Sequence, residues 1–189
     1  MSQNHISEIG LGNWYSSLTE RDKVKTERYL KSADASSAFL FLYSMASSAA
    51  AEDNHEYASM LLEECLKRKI TGIERFDAVE LLIDVYINIK RYDDAKRLCE
   101  ENLSIYPDVS SHIIKRNNGS VPEKLNCRNR YVDILIGIES GYDNAFKLLD
   151  RFLSMKLITE DDHKLRTQSL KIHSLQRSFD GVYTYTYKE

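Results

Sequence analysis

Apolar residues recur at helical spacing along most of this chain, and the breaks between the runs carry helix-start signals. The clearest run is Val79, Leu82, Ile83, Tyr86 and Ile89, which fall on one stripe of a helix. Thr71 and Glu74 precede it at the spacing of a capping box, in which each side chain satisfies the other's backbone N–H. Thr19 with Asp22 opens an earlier helix, expected from Glu20 to Lys31. Asp34 is expected to cap an Ala-rich helix reaching Ala51. Asp53 is expected to cap a third helix from Asn54 to Arg68, where Met60, Leu61, Cys65 and Leu66 repeat at helical spacing.

Beyond the corner at Arg91 and Tyr92, Ala95, Leu98, Cys99, Asn102 and Leu103 predict a helix that stops before Pro107. Asp108 then opens a short helix to Arg116, ended by Asn117, Asn118 and Gly119, a sequence that tolerates left-handed backbone. Ser120 and Glu123 form a second capping box around Pro122, so the next helix runs to Ser140 with Leu125, Val132, Leu135, Ile136 and Ile138 as its apolar content. Gly141 breaks it. Tyr142 to Lys156 is one further helix, and Thr159 caps another that reaches Ser178, on which Leu165, Ile172 and Phe179 mark a buried stripe. From Val182 to Tyr187 tyrosine and threonine alternate with period two, which predicts a strand or extended arm. The pattern gives three segments: a loose, polar stretch over 1–18 in which Trp14, Tyr15 and Leu18 dock as an apolar cap, one helical domain over 19–178, and an extended tail over 179–189. The fold class is all-α, with about eight or nine helices.

Three of the helices begin alike. An alanine (Ala58, Ala95, Ala145) stands three residues after a ring (His55, Tyr92, Tyr142), and leucines or aromatics follow. A small residue there lets the second helix of a pair cross closely over the first, and self-similarity of this kind points to stacked helix pairs. Over 76–109 the positions Val79, Leu82, Ile83, Tyr86, Ala95, Cys99, Asn102 and Pro107 keep the spacing of a tetratricopeptide repeat, and the stretch resembles one. Leu82, Tyr86, Ala95 and Pro107 are the residues that pattern asks for; Ile83 and Asn102 stand where small residues are usual. Weaker echoes cover about 38–70 and 121–157. The resemblance implies antiparallel pairs stacked as a short, irregular superhelix. The uneven spacing of the three alanines implies that 108–120 interrupts the stack, and the last helix would close it as a cap.

Composition adjusts this picture in few respects. Two prolines and seven glycines in 189 residues leave little room for irregular structure. A net charge of −3 provides no general attraction for nucleic acid or anionic membrane. Three cysteines without CxxC spacing, and an N-terminus without a basic start and apolar run, fit a reducing cytoplasmic setting. No apolar run is long enough to span a bilayer.

Candidate chemistry is sparse. The five histidines show no metal-ligand spacing, and no glycine-rich phosphate loop follows a strand. Cys65 and Cys99 fall on apolar stripes and read as core residues. Adjacent acidic pairs such as Glu63 and Glu64 diverge by about 100° on a helix and cannot act as dyads. No catalytic group, cofactor or metal is therefore expected. By the resemblance, Asp77, Glu80, Asp84 and Asn88 are the exposed groove positions of the best unit. Their i, i+3, i+7, i+11 spacing independently puts them on one helix face, although an ordinary solvated face has the same spacing. Such a stripe favours a basic peptide or protein partner. The Lys and Asn residues with which chaperone-binding members of that family clamp a carboxylate are absent. The function expected is a non-catalytic interaction or assembly scaffold. The alternative is a nucleic-acid-associated regulator that uses Lys164, Arg166, Lys171, His173 and Arg177 on the last helix. The tail, 179–189, could pair two copies into a homodimer.

Overall fold

The computed structural model describes residues 3–186, with side chains from Ile6 to Arg177. Among the described residues the secondary structure is helical throughout, as the apolar spacing predicts. The helices are α1 (Gln3–Glu8), α2 (Gly12–Ser17), α3 (Glu20–Tyr29), α4 (Ala38–Ala51), α5 (His55–Leu66), α6 (Gly72–Asn88), α7 (Tyr92–Arg116), α8 (Asn126–Gly137), α9 (Tyr142–Ser154) and α10 (Glu160–Thr186), with a 3-10 turn at Leu30–Ser32. No described helix is long and apolar enough to cross a membrane.

The chain divides into two compact units. The first comprises Met1–His112 with Leu125–Cys127; the second comprises Ile113–Lys124 with Arg128–Glu189. In the first unit α5 packs on both α4 and α6. The close crossing expected of small residues is present, since Ala46, Ala49 and Ala58 have no exposed surface. Tyr57 carries α3 into this core. Its hydroxyl meets the Thr26 hydroxyl at 2.7 Å, and its ring stacks on Tyr29 at 5.7 Å between centroids.

Residues 1–18 are more ordered than their polarity suggests. Gly10 turns with φ 77°, so α2 folds back near α1, and Ile6, Leu11, Trp14 and Tyr15 are buried. The Arg68 guanidinium donates to the Gly10 carbonyl at 3.0 Å and ties this turn to the chain just after α5.

Local capping signals fare unevenly. Thr19 and Thr71 cap α3 and α6 as read from sequence, the latter as a complete capping box. Asp34 does not cap α4. Its carboxylate accepts from the Ser36 backbone N–H and hydroxyl, and Ser37 caps the helix instead. Asp53 sits at φ 58° in the turn before α5 and makes no cap either.

Three larger differences follow from tertiary burial overriding local signals. First, α7 runs through Pro107 without stopping. Tyr106, Val109 and Ile113 continue the buried face of Leu98, Cys99, Asn102 and Leu103. Burying a Val or Ile side chain contributes about 1.5–3 kcal/mol, which offsets the roughly 3 kcal/mol an interior proline costs. Val109 Cγ1 lies 3.4 Å from where a Cβ on Gly72 would sit, so α7 passes close to the start of α6. Second, the capping box at Ser120 and Glu123 does not form, and α8 starts only at Asn126. The Ser120 hydroxyl donates to the Asn117 carbonyl at 3.1 Å, closing the left-handed turn at Asn118 and Gly119. Third, α10 continues through the tyrosine and threonine residues to Thr186, where an extended arm is the sequence expectation. Once a helix is nucleated, each added residue gains a hydrogen bond, and this outweighs the modest strand preference of Thr and Tyr. Residues 187–189 lie outside the described residues.

In the second unit Ala145, Leu148, Leu149 and Phe152 form the buried face of α9, against which α10 packs. Arg128 is 4% exposed and acts as an internal brace. Its guanidinium donates to the carbonyls of Leu157 (2.7 Å), Pro122 (2.9 Å) and Glu123 (2.5 Å), holding the segment before α8 to the loop before α10.

Candidate functional site

The four groove positions of α6 all lie on that helix, but they do not form an open acidic stripe. Asp77, Glu80 and Asp84 are half-buried, and only Asn88 is exposed. Asp77 and Asp84 are engaged in interactions within the chain. Asn88 Nδ2 donates to the Asp84 carbonyl at 2.9 Å.

Glu80 has a structural task that its place in the repeat pattern conceals. Its carboxylate accepts from the backbone N–H groups of Asn126 (2.5 Å) and Cys127 (2.9 Å), the first two residues of α8. Asn126 Nδ2 in turn donates to the Glu80 backbone carbonyl at 2.8 Å. The cap that Ser120 was expected to supply to this helix therefore comes from a residue 46 positions earlier. An anionic carboxylate at a helix N-terminus satisfies orphan donors and complements the helix dipole. Burial pushes the Glu80 pKa up, and the hydrogen bonds from Cys127, Asn102 and Asn126 pull it partly back.

Asn102 completes this arrangement. It is fully buried, and its Nδ2 donates to Glu80 Oε1 (3.1 Å) and to the Phe76 carbonyl (3.0 Å). The signal for it was the appearance of an amide where the repeat pattern wants alanine. Glu80 thus serves the fold by holding the start of α8.

Cys65, Cys99 and Cys127 are fully buried thiols. Burial pushes Cys65 up to about 12 and raises Cys99 further, so neither is a nucleophile near neutral pH. Among the described residues no three His, Cys, Asp or Glu side chains group as a metal site.

The feature that stands out lies on α10. Leu165 and Ile172, expected to be buried, are 64% and 57% exposed, and Leu175 is 59% exposed. The expected partner in that stripe, Phe179, lies outside the described side chains. At about 100° per residue these three leucine and isoleucine positions share one arc, and Leu170, 5% exposed, points the other way into the unit. Four of the six large apolar residues that are exposed among those described, Ile138 included, belong to this unit. Single exposed apolar residues are ordinary; three on one helix stripe form a patch. A shallow groove of about 330 Å³ runs beside it, lined by Val132, Leu149, Leu165, Arg166, Leu170 and His173 among others.

The charges that α10 itself carries along this patch are cationic, although Asp162 of its first turn also lines the groove. From His163 to Arg177 the helix carries Lys164, Arg166, Lys171 and Arg177 and no acidic residue; Glu160, Asp161 and Asp162 are confined to its first turn. Lys164 and Lys171, both exposed, lie seven residues apart along one border of the apolar arc. Arg166 is half-buried on the opposite side, and Arg177 donates to the Ile136 carbonyl at 2.9 Å, so the four cations do not converge.

Comparison of the chain with protein-family models, with curated proteins and with solved structures returns no match.

Proposed function

We propose that this protein is a non-catalytic interaction module of the helical-repeat type, and that it takes a protein partner along the outer face of α10. The observation that carries this reading is the stripe of Leu165, Ile172 and Leu175, exposed on a helix that buries Leu170 on its opposite side. Fully burying side chains of this kind contributes about 1.5–3 kcal/mol each, so a partner that covers the stripe gains several kcal/mol from three residues. The consecutive packing of α4, α5 and α6, with buried alanines at the crossings, supports a repeat scaffold of tetratricopeptide-like character behind that face. The absence of a match to any family model leaves the reading resting on these physical features.

The test is co-purification from the native host with the full chain and two variants. The double variant Leu165→Glu with Ile172→Glu should lose the partners that the wild type retains. Val24→Glu, at a 67%-exposed site on α3, should retain them. Equal recovery by all three proteins would remove α10 as the binding face.

A nucleic-acid-associated role is favoured only by the run of cations without acids on α10. Phosphate tracking requires cations that converge, and these do not. Absence of binding to a generic single-stranded RNA at low salt would dispose of that alternative.

A further inference from the structure

We infer that the occupant of the α10 face is an amphipathic helix bordered by acidic residues, and this rests on the reading of α10 as the binding face. The spacing of the stripe identifies the shape of the partner. Leu165, Ile172 and Leu175 stand at i, i+7 and i+10, a pattern that runs along the helix axis for about 15 Å, or three turns. A second helix laid along it presents its own apolar residues at the same rise, and the groove lined by Val132 and Leu149 beside the stripe receives the partner's flank. An extended strand, with side chains alternating every residue, matches neither the rise nor the curvature of this surface.

The border identifies the charge. Lys164 and Lys171 flank the stripe on one edge, and no carboxylate from 163 to 177 balances them. Lys164 has Asp161 at 3.9 Å, but both groups are mostly exposed, so that pair is weak and yields readily to a better-placed partner. A partner helix with two acidic residues seven apart sets one opposite each lysine.

The same border disfavours a second copy of this chain. In an antiparallel self-pairing, setting Leu165 of one copy against Ile172 of the other brings the two lysine borders together, with Lys164 of one copy beside Lys171 of the other. Like charges opposite one another are destabilising and act as a block on that pairing.

The experiment uses the full chain and two synthetic helical peptides. The peptides share one apolar stripe, and their flanking positions are all Glu in one and all Lys in the other. Binding is read by fluorescence anisotropy. The Glu-flanked peptide should bind about tenfold more tightly than the Lys-flanked one, as expected for two exposed ion pairs replacing two repulsions. Lys164→Glu with Lys171→Glu should reverse that order, and Leu165→Ser with Ile172→Ser should weaken both peptides alike. High salt should narrow the difference between the peptides. If the two peptides bind equally and only the Leu165 and Ile172 variant weakens them, the acidic character is wrong and the binding face stands. If that variant changes nothing, the binding face fails with it. If the chain sediments as a dimer that Ile172→Asp converts to monomer, the occupant is a second copy and the inference is overturned.

Discussion

Glu80 stands between two opposing physical demands. Its carboxylate is drawn into the fold by three hydrogen-bond donors on α7 and α8, and it is penalised for leaving water. Glu80→Gln keeps the volume but has only one acceptor oxygen, and its amide turns a donor toward a backbone N–H. Stability should fall by about 1–3 kcal/mol, read from urea midpoints. The pH dependence has a definite sign. Because the folded-state pKa is raised, the folded state binds the proton more tightly than the unfolded chain. The resulting stabilisation is complete below the ordinary carboxylate pKa and is lost as pH rises through the raised value. The Gln variant does not titrate at this site, so the wild-type advantage should shrink as pH rises from the ordinary carboxylate range through the raised value. An advantage that grows over that range would show that the hydrogen bonds outweigh burial. The cysteines give a simpler expectation at this scale. With all three thiols buried and Cys65 held at about 12, alkylation at neutral pH should be negligible in the native protein and rapid in urea. Fast labelling of any one by mass spectrometry would mean that its burial is wrong.

At the scale of elements, α7 shows how tertiary contacts decide against a local breaker. Pro107 lacks the N–H that would reach the Leu103 carbonyl, so Pro107→Ala should stabilise the protein by about 1–3 kcal/mol with no change of fold. A neutral or destabilising result would mean that α7 is already kinked to suit the ring. The helices themselves were legible because their apolar spacing is strong and their Thr caps are local. Thr19 and Thr71 need only a partner three residues on, and both behave as read. What was hidden depends on distance. Nothing near Ser120 reveals that Asn126 is capped by Glu80, and nothing near Pro107 reveals the burial awaiting Val109 and Ile113. The alternation from Val182 to Tyr187 misled for the related reason that period two is a local signal, whereas α10 arrives there already nucleated from Thr159. The candidate site suffered most. Both the α6 stripe and the stripe of Leu165 and Ile172 were placed on helices; Leu165 and Ile172, read as buried, are exposed, and the α6 stripe, read as exposed, is half-buried apart from Asn88. Spacing alone defines a face and leaves open which side of the helix is covered.

For the whole molecule, the division into two units sets how damage should spread. Arg128 braces carbonyls that all lie in the second unit. Arg128→Met removes three hydrogen bonds from a charged donor and takes that donor from the Leu157 and Pro122 carbonyls, while Asn129 still donates to the Glu123 carbonyl, a loss of about 3 kcal/mol. Hydrogen exchange should accelerate around Pro122 to Arg128 and in α9 and α10, with little change in α4 and α5. Uniform acceleration across both units would mean that the chain opens as a single cooperative body.

The boundary between the units is not a clean cut, because Leu125–Cys127 belong with the first unit although the chain has already entered the second. A fragment beginning at Ser120 would carry the α8 N-terminus without the carboxylate that caps it, while the fragment ending at Gly119 would carry Glu80 with nothing to cap. Each half would retain one side of an unsatisfied bond. Nicked or expressed in two pieces at the Asn118 and Gly119 turn, the protein should behave as a split pair whose halves find each other in solution, and Glu80→Gln should weaken that reassembly.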